Sequence, residues 1–107
     1  MKGTALVTGA SSGIGAELAR VFAANGFDLV LTARRLDRLE ALAAELLDRH
    51  QCRVHVIAAD LADPSSPSRI AREVAEAGFQ VDALVNNAGY GLPGSFLSSP
   101  WELHRAF

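Results

Sequence analysis

The chain has 107 residues, of which 50% are hydrophobic, so it can form one compact domain with a core and lacks the composition of a disordered chain. Its 12 acidic and 10 basic residues leave a formal net charge of −2, which provides no electrostatic basis for binding nucleic acid or an anionic membrane. The single cysteine, Cys52, excludes an internal disulfide and fits a reducing, cytoplasmic compartment, and no apolar run approaches the roughly 20 residues of a membrane helix.

Four short runs rich in apolar residues are predicted to be strands, at residues 4–7, 29–33, 53–59 and 83–85. The second run, LVLTA, is apolar throughout rather than alternating, which is typical of a strand buried on both faces of a parallel sheet. The third, RVHVIAA, is rich in β-branched residues. These runs indicate a sheet that is covered by helices on both sides.

Apolar residues at helical spacing predict a helix after each of the first three strands. The expected apolar stripes consist of Ile14, Leu18, Val21 and Phe22 in the first helix, and of Leu36, Leu39, Leu42, Ala43, Leu46 and Leu47 in the second. The first helix stops at Asn25-Gly26, and the second turns Arg38, Glu45 and Arg49 outward. The third follows the loop DPSSPS and covers residues 70–77.

The element order is β-α-β-α-β-α-β, followed by a long glycine- and proline-rich connection and the start of another helix at Pro100. This order predicts an α/β fold, the N-terminal half of a Rossmann-type doubly wound parallel sheet. The fourth strand would lie at the sheet edge without a covering neighbour, and the last helix would end in mid-pattern at Phe107. We therefore expect residues 1–107 to form a single domain that is incomplete at its C-terminus.

The octet TGASSGIG, which ends at Gly15, joins the first strand to the first helix and is too rich in glycine and serine for either. Gly9 suits the turn that leaves the strand. Without a side chain, Gly13 would let a pyrophosphate approach the backbone, and Gly15 would let the helix pack closely on the strand. The N–H groups at the helix start and the hydroxyls of Ser11 and Ser12 would then bind the anion. The alternative is an ordinary strand-to-helix turn built from small residues.

The octet strongly resembles the cofactor-binding motif of the classical short-chain dehydrogenases/reductases. Two further stretches carry the same resemblance: Asp60-Leu61 after the third strand, and NNAG at residues 86–89 after the fourth. The three motifs occur in the family's order, each at the C-terminal end of a strand, and the resemblance spans essentially the whole chain. It implies a Rossmann-type fold and an oxidoreductase that transfers hydride between a nicotinamide dinucleotide and a carbonyl or alcohol.

Carried over to this sequence, the resemblance implies that Asp60 hydrogen-bonds the adenine amino group and that Leu61 packs beside the ring. It implies that Ile14 offers a backbone N–H to the pyrophosphate and that Asn86 braces its loop against the sheet. The residues that would line the adenosine ribose are Asn87, Ala88 and Gly89. Taken one at a time, Asp60 could instead be a helix cap or turn residue, and NNAG could be a plain turn.

Dinucleotide folds that bind NAD usually carry an acid at the end of the second strand, about 20 residues past the glycines, for the ribose 2′-hydroxyl. Here the strand ends in TARR, with Ala33 where the acid would stand and Arg34 after it. Asp28 lies too early and Asp37 lies in the next helix. Because a planar guanidinium can donate two parallel hydrogen bonds to a phosphate, we predict NADP(H) in preference to NAD(H). Arg34 would bind the 2′-phosphate, and Arg35 would stack near the adenine or assist Arg34. The alternative is that both arginines are solvated side chains at the start of the next helix.

The resemblance also implies a catalytic Tyr-x-x-x-Lys pair with a serine and an asparagine, in which the tyrosine protonates the developing alkoxide and the lysine lowers the tyrosine pKa. The only tyrosine here is Tyr90, with Gly94 four residues later, and the only lysine is Lys2. We therefore assign no catalytic residue, place Tyr90 at the rim of the cleft, and expect the 107-residue chain alone to be inactive. No histidine or cysteine spacing indicates a metal site.

Two functions from different classes follow. The first is an NADP(H)-dependent oxidoreductase of which this chain is the cofactor-binding part, acting at full length on a small carbonyl or alcohol and assembling as a homo-oligomer. The second is a truncated dinucleotide-binding module without catalysis. Another Rossmann-type enzyme, such as a methyltransferase, ranks behind both, because it would have to explain NNAG and Arg34 by chance.

Overall fold

A computed structural model describes residues 3–11, 13–87 and 103–104, and these residues contain five strands and three helices. The elements are β1 (Thr4–Thr8), α1 (Gly13–Ala24), β2 (Asp28–Ala33), α2 (Leu36–Arg49), β3 (Val54–Ala58), α3 (Ser66–Glu76), β4 (Val81–Asn86) and β5 (Leu103–His104). The predicted alternation is confirmed through β4, although α3 begins at Ser66 rather than at Ile70. None of the helices in these described ranges has the length and apolar character needed to cross a bilayer.

The strands form one parallel sheet in the order β3-β2-β1-β4-β5. This order confirms the predicted Rossmann-type arrangement. In the strand registers, Thr8 lies opposite both Thr32 and Asn86, and Ala33 lies opposite Ala58. The carboxyl ends of β1 to β4 therefore meet at one edge of the sheet, which is where the three sequence motifs also lie.

The segment after Pro100 differs from the prediction where the structure describes it. Leu103–His104 form the short strand β5, which pairs in parallel with Val85 and Asn86, whereas the sequence predicts a helix there. β4 is therefore flanked on both sides at these residues and is not the sheet edge. An open strand edge presents unpaired N–H and C=O groups, and pairing with a later segment satisfies them. The rest of the predicted last helix lies outside the described residues.

Helices cover both faces of the sheet and enclose two hydrophobic clusters. On one face, alternate residues of β1 and β2 pack with α1 and with Leu39, Leu42 and Leu46 of α2. On the other face, the intervening residues pack with Ile70 and Val74 of α3. All residues of β2 are buried, as the uninterrupted apolar run LVLTA predicts for a strand covered on both sides.

Helix α1 packs on the sheet through its smallest side chains. Its buried residues are Gly15, Ala19 and Ala23. The predicted stripe is wrong at Ile14 and Val21, which are 45% and 55% exposed, while Leu18 and Phe22 are partly buried against the core. Interiors are close-packed, so a helix that lies near the strands must present small residues at the contact. Residue size, and not hydropathy alone, decides which face of α1 turns inward.

An ion pair joins α1 to α2. The Arg20 Nε donates to Glu45 Oε2 at 2.7 Å, and a second Arg20 nitrogen donates to Glu45 Oε1 at 3.1 Å. Glu45 is therefore half-buried between the helices and not turned outward as predicted. The Arg20 guanidinium holds the pKa of the Glu45 carboxyl below its usual range. The pair orients the two helices that leave the carboxyl ends of β1 and β2.

Asp28 is a buried carboxylate at the N-terminal end of β2. It is 1% exposed, and its Oδ1 accepts a hydrogen bond from the Arg53 backbone N–H at 2.8 Å. The Arg53 side chain adds a bond from Nε to Asp28 Oδ2 at 3.2 Å. Asp28 thus links β2 to the residue that precedes β3, at the end of β2 opposite to Ala33. It lies too far from the carboxyl edge of the sheet to contact a ligand held there.

Replacing Asp28 by alanine is expected to lower the free energy of unfolding by about 2–3 kcal/mol, because the Arg53 N–H loses its acceptor and a cavity opens. Urea or thermal unfolding of the full-length protein measures this loss. The matched control is Arg53→Gln, which keeps the backbone N–H bond to Asp28 but removes the guanidinium from Asp28 and from the Phe79 ring, 4.4 Å away, and should cost about 1–2 kcal/mol. Equal losses in the two variants would show that the buried carboxylate does no more than pair with that guanidinium.

Candidate functional site

The turn between β1 and α1 places the glycine octet at the carboxyl edge of the sheet. Gly9 follows β1 with φ of +63°, a left-handed conformation that favours glycine. The Ala10 N–H donates to the Thr32 carbonyl oxygen at 3.2 Å and so ties the turn to the end of β2. Gly13 begins α1 in open space, since a Cβ built there would meet no atom within 4 Å. The turn therefore exposes bare backbone at the start of a helix.

Gly15 has the opposite environment, because it is buried in the contact between α1 and the turn. A Cβ at this position would overlap the Gly9 carbonyl oxygen and would lie 2.9 Å from Asn87 Nδ2. No side chain fits this space without a shift of the Gly9 backbone. The close packing that the sequence predicts at Gly15 is present in the structure.

Polar side chains connect the end of β1 to the end of β4. The Thr8 hydroxyl lies 3.1 Å from Asn86 Oδ1 and 3.4 Å from the Val85 carbonyl oxygen. The Asn87 Nδ2 donates to the Gly9 carbonyl oxygen at 3.3 Å. Asn86 is 4% exposed, so its side chain supports the loop from below and does not reach into solvent. The first two residues of NNAG thus hold the β4 end against the glycine turn.

A cavity of about 700 Å³ opens where β1, β2 and β3 end. The residues that line it are Gly9, Ser11, Thr32, Ala33, Arg34, Arg35, Arg38, Ala59, Asp60, Leu61 and Ala62. Its size falls within the range of roughly 300–1,000 Å³ that is typical of small-molecule sites. Crevices outside the carboxyl ends of parallel strands are the usual ligand sites of open α/β sheets. The structure therefore brings two of the three motifs and the TARR segment to one cavity.

Arg35 and Asp37 form a two-point ion pair at the start of α2. The Arg35 Nε lies 3.2 Å from Asp37 Oδ1, and a terminal Arg35 nitrogen lies 3.0 Å from Asp37 Oδ2. The Arg35 guanidinium holds the pKa of the Asp37 carboxyl below its usual range. Arg35 lines the cavity with its charge already matched by Asp37.

Asp60 serves a local turn and lines the cavity at the same time. Its Oδ1 accepts a hydrogen bond from the Ala62 N–H at 2.9 Å, and its carbonyl oxygen accepts one from the Ser66 hydroxyl at 2.7 Å. The turn role that the sequence left open is therefore real. A carboxylate has acceptor capacity on both oxygens, so this local bond leaves room for a ligand donor. Leu61 is half-buried beside it and packs against the second hydrophobic cluster.

Thr32 brings a buried hydroxyl to the cavity. The residue is 1% exposed, and within the described part of the chain its Oγ1 has no hydrogen-bond partner. A buried hydroxyl without a partner is unfavourable by about 1–3 kcal/mol.

The predicted site residues fall into three groups. Those that line the cavity are Gly9, Ser11, Arg34, Arg35, Asp60 and Leu61. Those at the α1 start or beside it are Gly13, Ile14, Gly15 and Asn87, with Ser11 shared between the cavity and the outer side of α1. The predicted residues outside the described ranges are Ser12, Ala88, Gly89 and Tyr90.

The cavity also contains residues that the sequence did not single out, namely Thr32, Ala33, Arg38, Ala59 and Ala62. Arg38 is exposed, as the helical pattern predicts, but it also faces the cavity. A signal for it exists in the sequence, because it follows Arg34 and Arg35 closely in the same basic segment. Thr32 carries no such signal, since its neighbours in the strand are all apolar or small.

Comparison with known proteins gives a match over nearly the whole chain. The family model described as short chain dehydrogenase matches residues 3–102. The chain is 43% identical over 103 residues to Dehydrogenase/reductase SDR family member 7B of Mus musculus, which covers 94% of this chain and 32% of the relative. The chain therefore spans about a third of the length of that curated relative.

Two solved structures are similar in fold as well as in sequence. The alcohol dehydrogenase of the archaeon Thermococcus sibiricus, complexed with 5-hydroxy-NADP, superposes with a TM-score of 0.78 at 39% identity, over 83% of this chain and 38% of that one. The short-chain dehydrogenase of Sphingobium yanoikuyae, in complex with NADPH, gives a TM-score of 0.72 at 46% identity, over 81% of this chain and 34% of that one.

Proposed function

This chain belongs to the short-chain dehydrogenase family, and from that membership we propose that it is the cofactor-binding part of an NADP(H)-dependent oxidoreductase. The observation that carries the proposal is the cavity at the carboxyl edge of the sheet, where the strand β2 ends in Ala33 and Arg34 instead of an acid. The full-length protein would reduce a small carbonyl compound or oxidise an alcohol.

The described residues suit a dinucleotide. The bare backbone at Gly13 and the N-terminal end of α1 favour a pyrophosphate, with Ser11 and the Ile14 N–H beside it. The cavity wall beside them carries the polar side chains of Arg34 and Asp60. The residues proposed to hold the adenosine are Asp60, Leu61, Asn87, Ala88 and Gly89. The pyrophosphate and the adenosine would thus bind at two adjoining parts of the carboxyl edge of the sheet, the start of α1 and the cavity.

The preference for NADP(H) over NAD(H) is proposed from charge. Arg34 follows β2 directly, lines the cavity and has no carboxylate partner among the described residues, so its planar donors are available to a phosphate. Arg35 would lie near the adenine, where Asp37 fixes its guanidinium plane. The two similar structures described above were solved with 5-hydroxy-NADP and with NADPH, which supports the same ligand class.

The bound nicotinamide would supply or accept the hydride. The residues of this chain would contribute position: they would hold the pyrophosphate at α1 and the adenosine in the cavity, and so direct the nicotinamide beyond the end of β4. The proton donor would not come from these 107 residues, because Tyr90 has no lysine four residues after it.

The same cavity and glycine turn would also serve a second candidate, a dinucleotide-binding module without catalysis. The two candidates differ in one simple observation. An open reading frame that continues beyond Phe107 into a Tyr-x-x-x-Lys motif would support the oxidoreductase, and a stop codon directly after Phe107 would support the module.

The full-length protein is expected to bind NADP(H) at least about tenfold more tightly than NAD(H), because each hydrogen bond to a charged group contributes about 1.5–3 kcal/mol. Isothermal titration calorimetry with the two oxidised cofactors measures both dissociation constants. A preference for NAD, or equal affinities, would refute the NADP(H) assignment. Failure to bind either nucleotide would refute the dinucleotide site itself.

A further inference from the structure

The arginines of the described chain differ in whether an acid pairs with them. Those with an ion-paired carboxylate are Arg20, Arg35, Arg53 and Arg69. Those without one, within residues 3–11 and 13–87, are Arg34, Arg38, Arg49 and Arg72. Only the first two of this second group line the cavity. The cavity wall therefore carries two positive charges that no acid in the described chain compensates.

Arg34 and Arg38 lie on the same side of the β2–α2 junction. Arg34 follows the last residue of β2, and Arg38 lies in the first turn of α2, which begins at Leu36. Both residues line the same cavity, so their side chains can reach a common ligand there. Arg35 is turned toward Asp37 instead and forms two side-chain hydrogen bonds there.

A phosphate monoester requires more than one cation for full compensation. It carries a charge of about −1.5 to −2 near pH 7 and has three strong acceptor oxygens. One guanidinium matches at most one negative charge and binds two oxygens through its fork. Arg34 alone would thus leave part of the charge uncompensated, and the Arg35 guanidinium is oriented toward Asp37.

We propose that Arg38 is a second ligand of the 2′-phosphate and, with Arg34, determines the preference of the protein for NADP(H). The inference rests on the proposed NADP(H) function and deepens it, since it assigns the phosphate to Arg34 and Arg38 and leaves Arg35 to the adenine side. Arg38 is a specificity-determining residue in this arrangement, and the pyrophosphate and hydride chemistry do not depend on it.

The test compares 2′,5′-ADP with 5′-AMP, two probes that differ only in the 2′-phosphate, by calorimetry on the full-length protein. Arg38→Gln is expected to weaken 2′,5′-ADP about tenfold and 5′-AMP less than about twofold, because the lost bonds are charge-assisted and confined to the 2′-phosphate. Arg38→Lys keeps the charge but loses the planar pair of N–H donors, and so should weaken 2′,5′-ADP binding less than Arg38→Gln does. NADP⁺ and NAD⁺ should follow the same pattern as the two probes.

Two control variants separate contact from general charge. Arg49→Gln removes the same charge from the last turn of α2, away from the cavity, and should change each affinity less than about twofold. The double variant Arg35→Gln/Asp37→Asn removes the ion pair without changing net charge. Because Arg35 is assigned to the adenine that both probes share, this variant should weaken 2′,5′-ADP and 5′-AMP by the same factor and preserve the ratio of their affinities. Arg38 is exposed and has no ion pair in the described chain, so the melting temperature of Arg38→Gln should match that of the wild type.

Distinct outcomes overturn the inference and the proposed function. If the wild type prefers 2′,5′-ADP but Arg38→Gln binds it as tightly as Arg49→Gln does, the inference is wrong and the NADP(H) function stands. If Arg38→Gln weakens both probes equally, Arg38 contacts another part of the nucleotide and the inference is again wrong. If the wild type has no preference for 2′,5′-ADP, the NADP(H) assignment and the inference fail together.

Discussion

Replacing Arg34 by aspartate is expected to change the cofactor preference of the full-length protein from NADP(H) to NAD(H). The substitution removes a guanidinium from the cavity wall and adds a carboxylate directly after β2, where NAD-binding folds of this type place their acid. The substitution removes the charge-assisted hydrogen bonds of the guanidinium and adds repulsion between the new carboxylate and the 2′-phosphate. Together these changes should weaken NADP(H) binding about 100-fold or more. The new carboxylate can accept hydrogen bonds from ribose hydroxyls, so NAD(H) should bind as tightly as before or more tightly.

Calorimetric dissociation constants of both cofactors for both proteins measure the change. Arg72→Asp on α3 is the matched control, because it makes the same change in net charge at a residue that does not line the cavity. The control should reduce NADP(H) binding only slightly, and less still at higher salt, since exposed charges are screened within roughly 10 Å at 0.1 M ionic strength. An unchanged preference in Arg34→Asp would contradict the role proposed for Arg34.

Gly15→Ala is expected to lower the free energy of unfolding by about 1–3 kcal/mol, the usual cost of overpacking. The added methyl would overlap the Gly9 carbonyl oxygen, a backbone atom that moves only with the turn, and would crowd Asn87 Nδ2. Relief of the overlap requires α1 to move off the turn. The hydrogen bond of 3.3 Å from Asn87 Nδ2 to Gly9 would then lengthen, and dinucleotide affinity should fall with stability.

Gly13→Ala is the matched control, two residues earlier in the same turn. Its Cβ would meet no protein atom within 4 Å, so stability should stay the same or rise by about 0.5–1 kcal/mol through the better helix propensity of alanine. Dinucleotide affinity should nevertheless fall, because the methyl would occupy space proposed for the pyrophosphate. Unfolding curves and titrations of both variants check the pair. Equal stability of Gly13→Ala and Gly15→Ala would contradict the packing role of Gly15.

Much of the fold could be predicted from local sequence pattern. The run LVLTA indicates a strand buried on both faces, and β2 is buried at all its residues. The octet TGASSGIG predicts a turn with close packing at Gly15, and the structure has that packing. These features are predictable because the residue types that the packing requires, apolar in LVLTA and small at Gly15, occur in contiguous segments of the sequence. The roles assigned to individual residues in cofactor binding stay predictions until the titrations are done.

The inward face of α1 could not be predicted from hydropathy. Ile14 and Val21 are more hydrophobic than Ala19 and Ala23, yet the alanines are buried. The distance between helix and sheet determines which side chains fit, and that distance is a property of the packed molecule. Likewise, the strand at Leu103–His104 depends on the open edge of β4, which no local pattern in that segment reveals.

The order of strands and helices, the family's three motifs and the basic end of β2 follow from the sequence alone, because periodicity and spacing express them directly. The set of residues that line the cavity does not follow from the sequence alone. Thr32, Arg38 and Asp60 come from three separate segments, and only the parallel alignment of strand ends brings them to one edge. The pairing of Arg35 with Asp37, which leaves Arg34 and Arg38 without an acid partner in the described chain, is equally a matter of side-chain geometry. Three-dimensional packing therefore shows which of these three neighbouring arginines an acid already pairs.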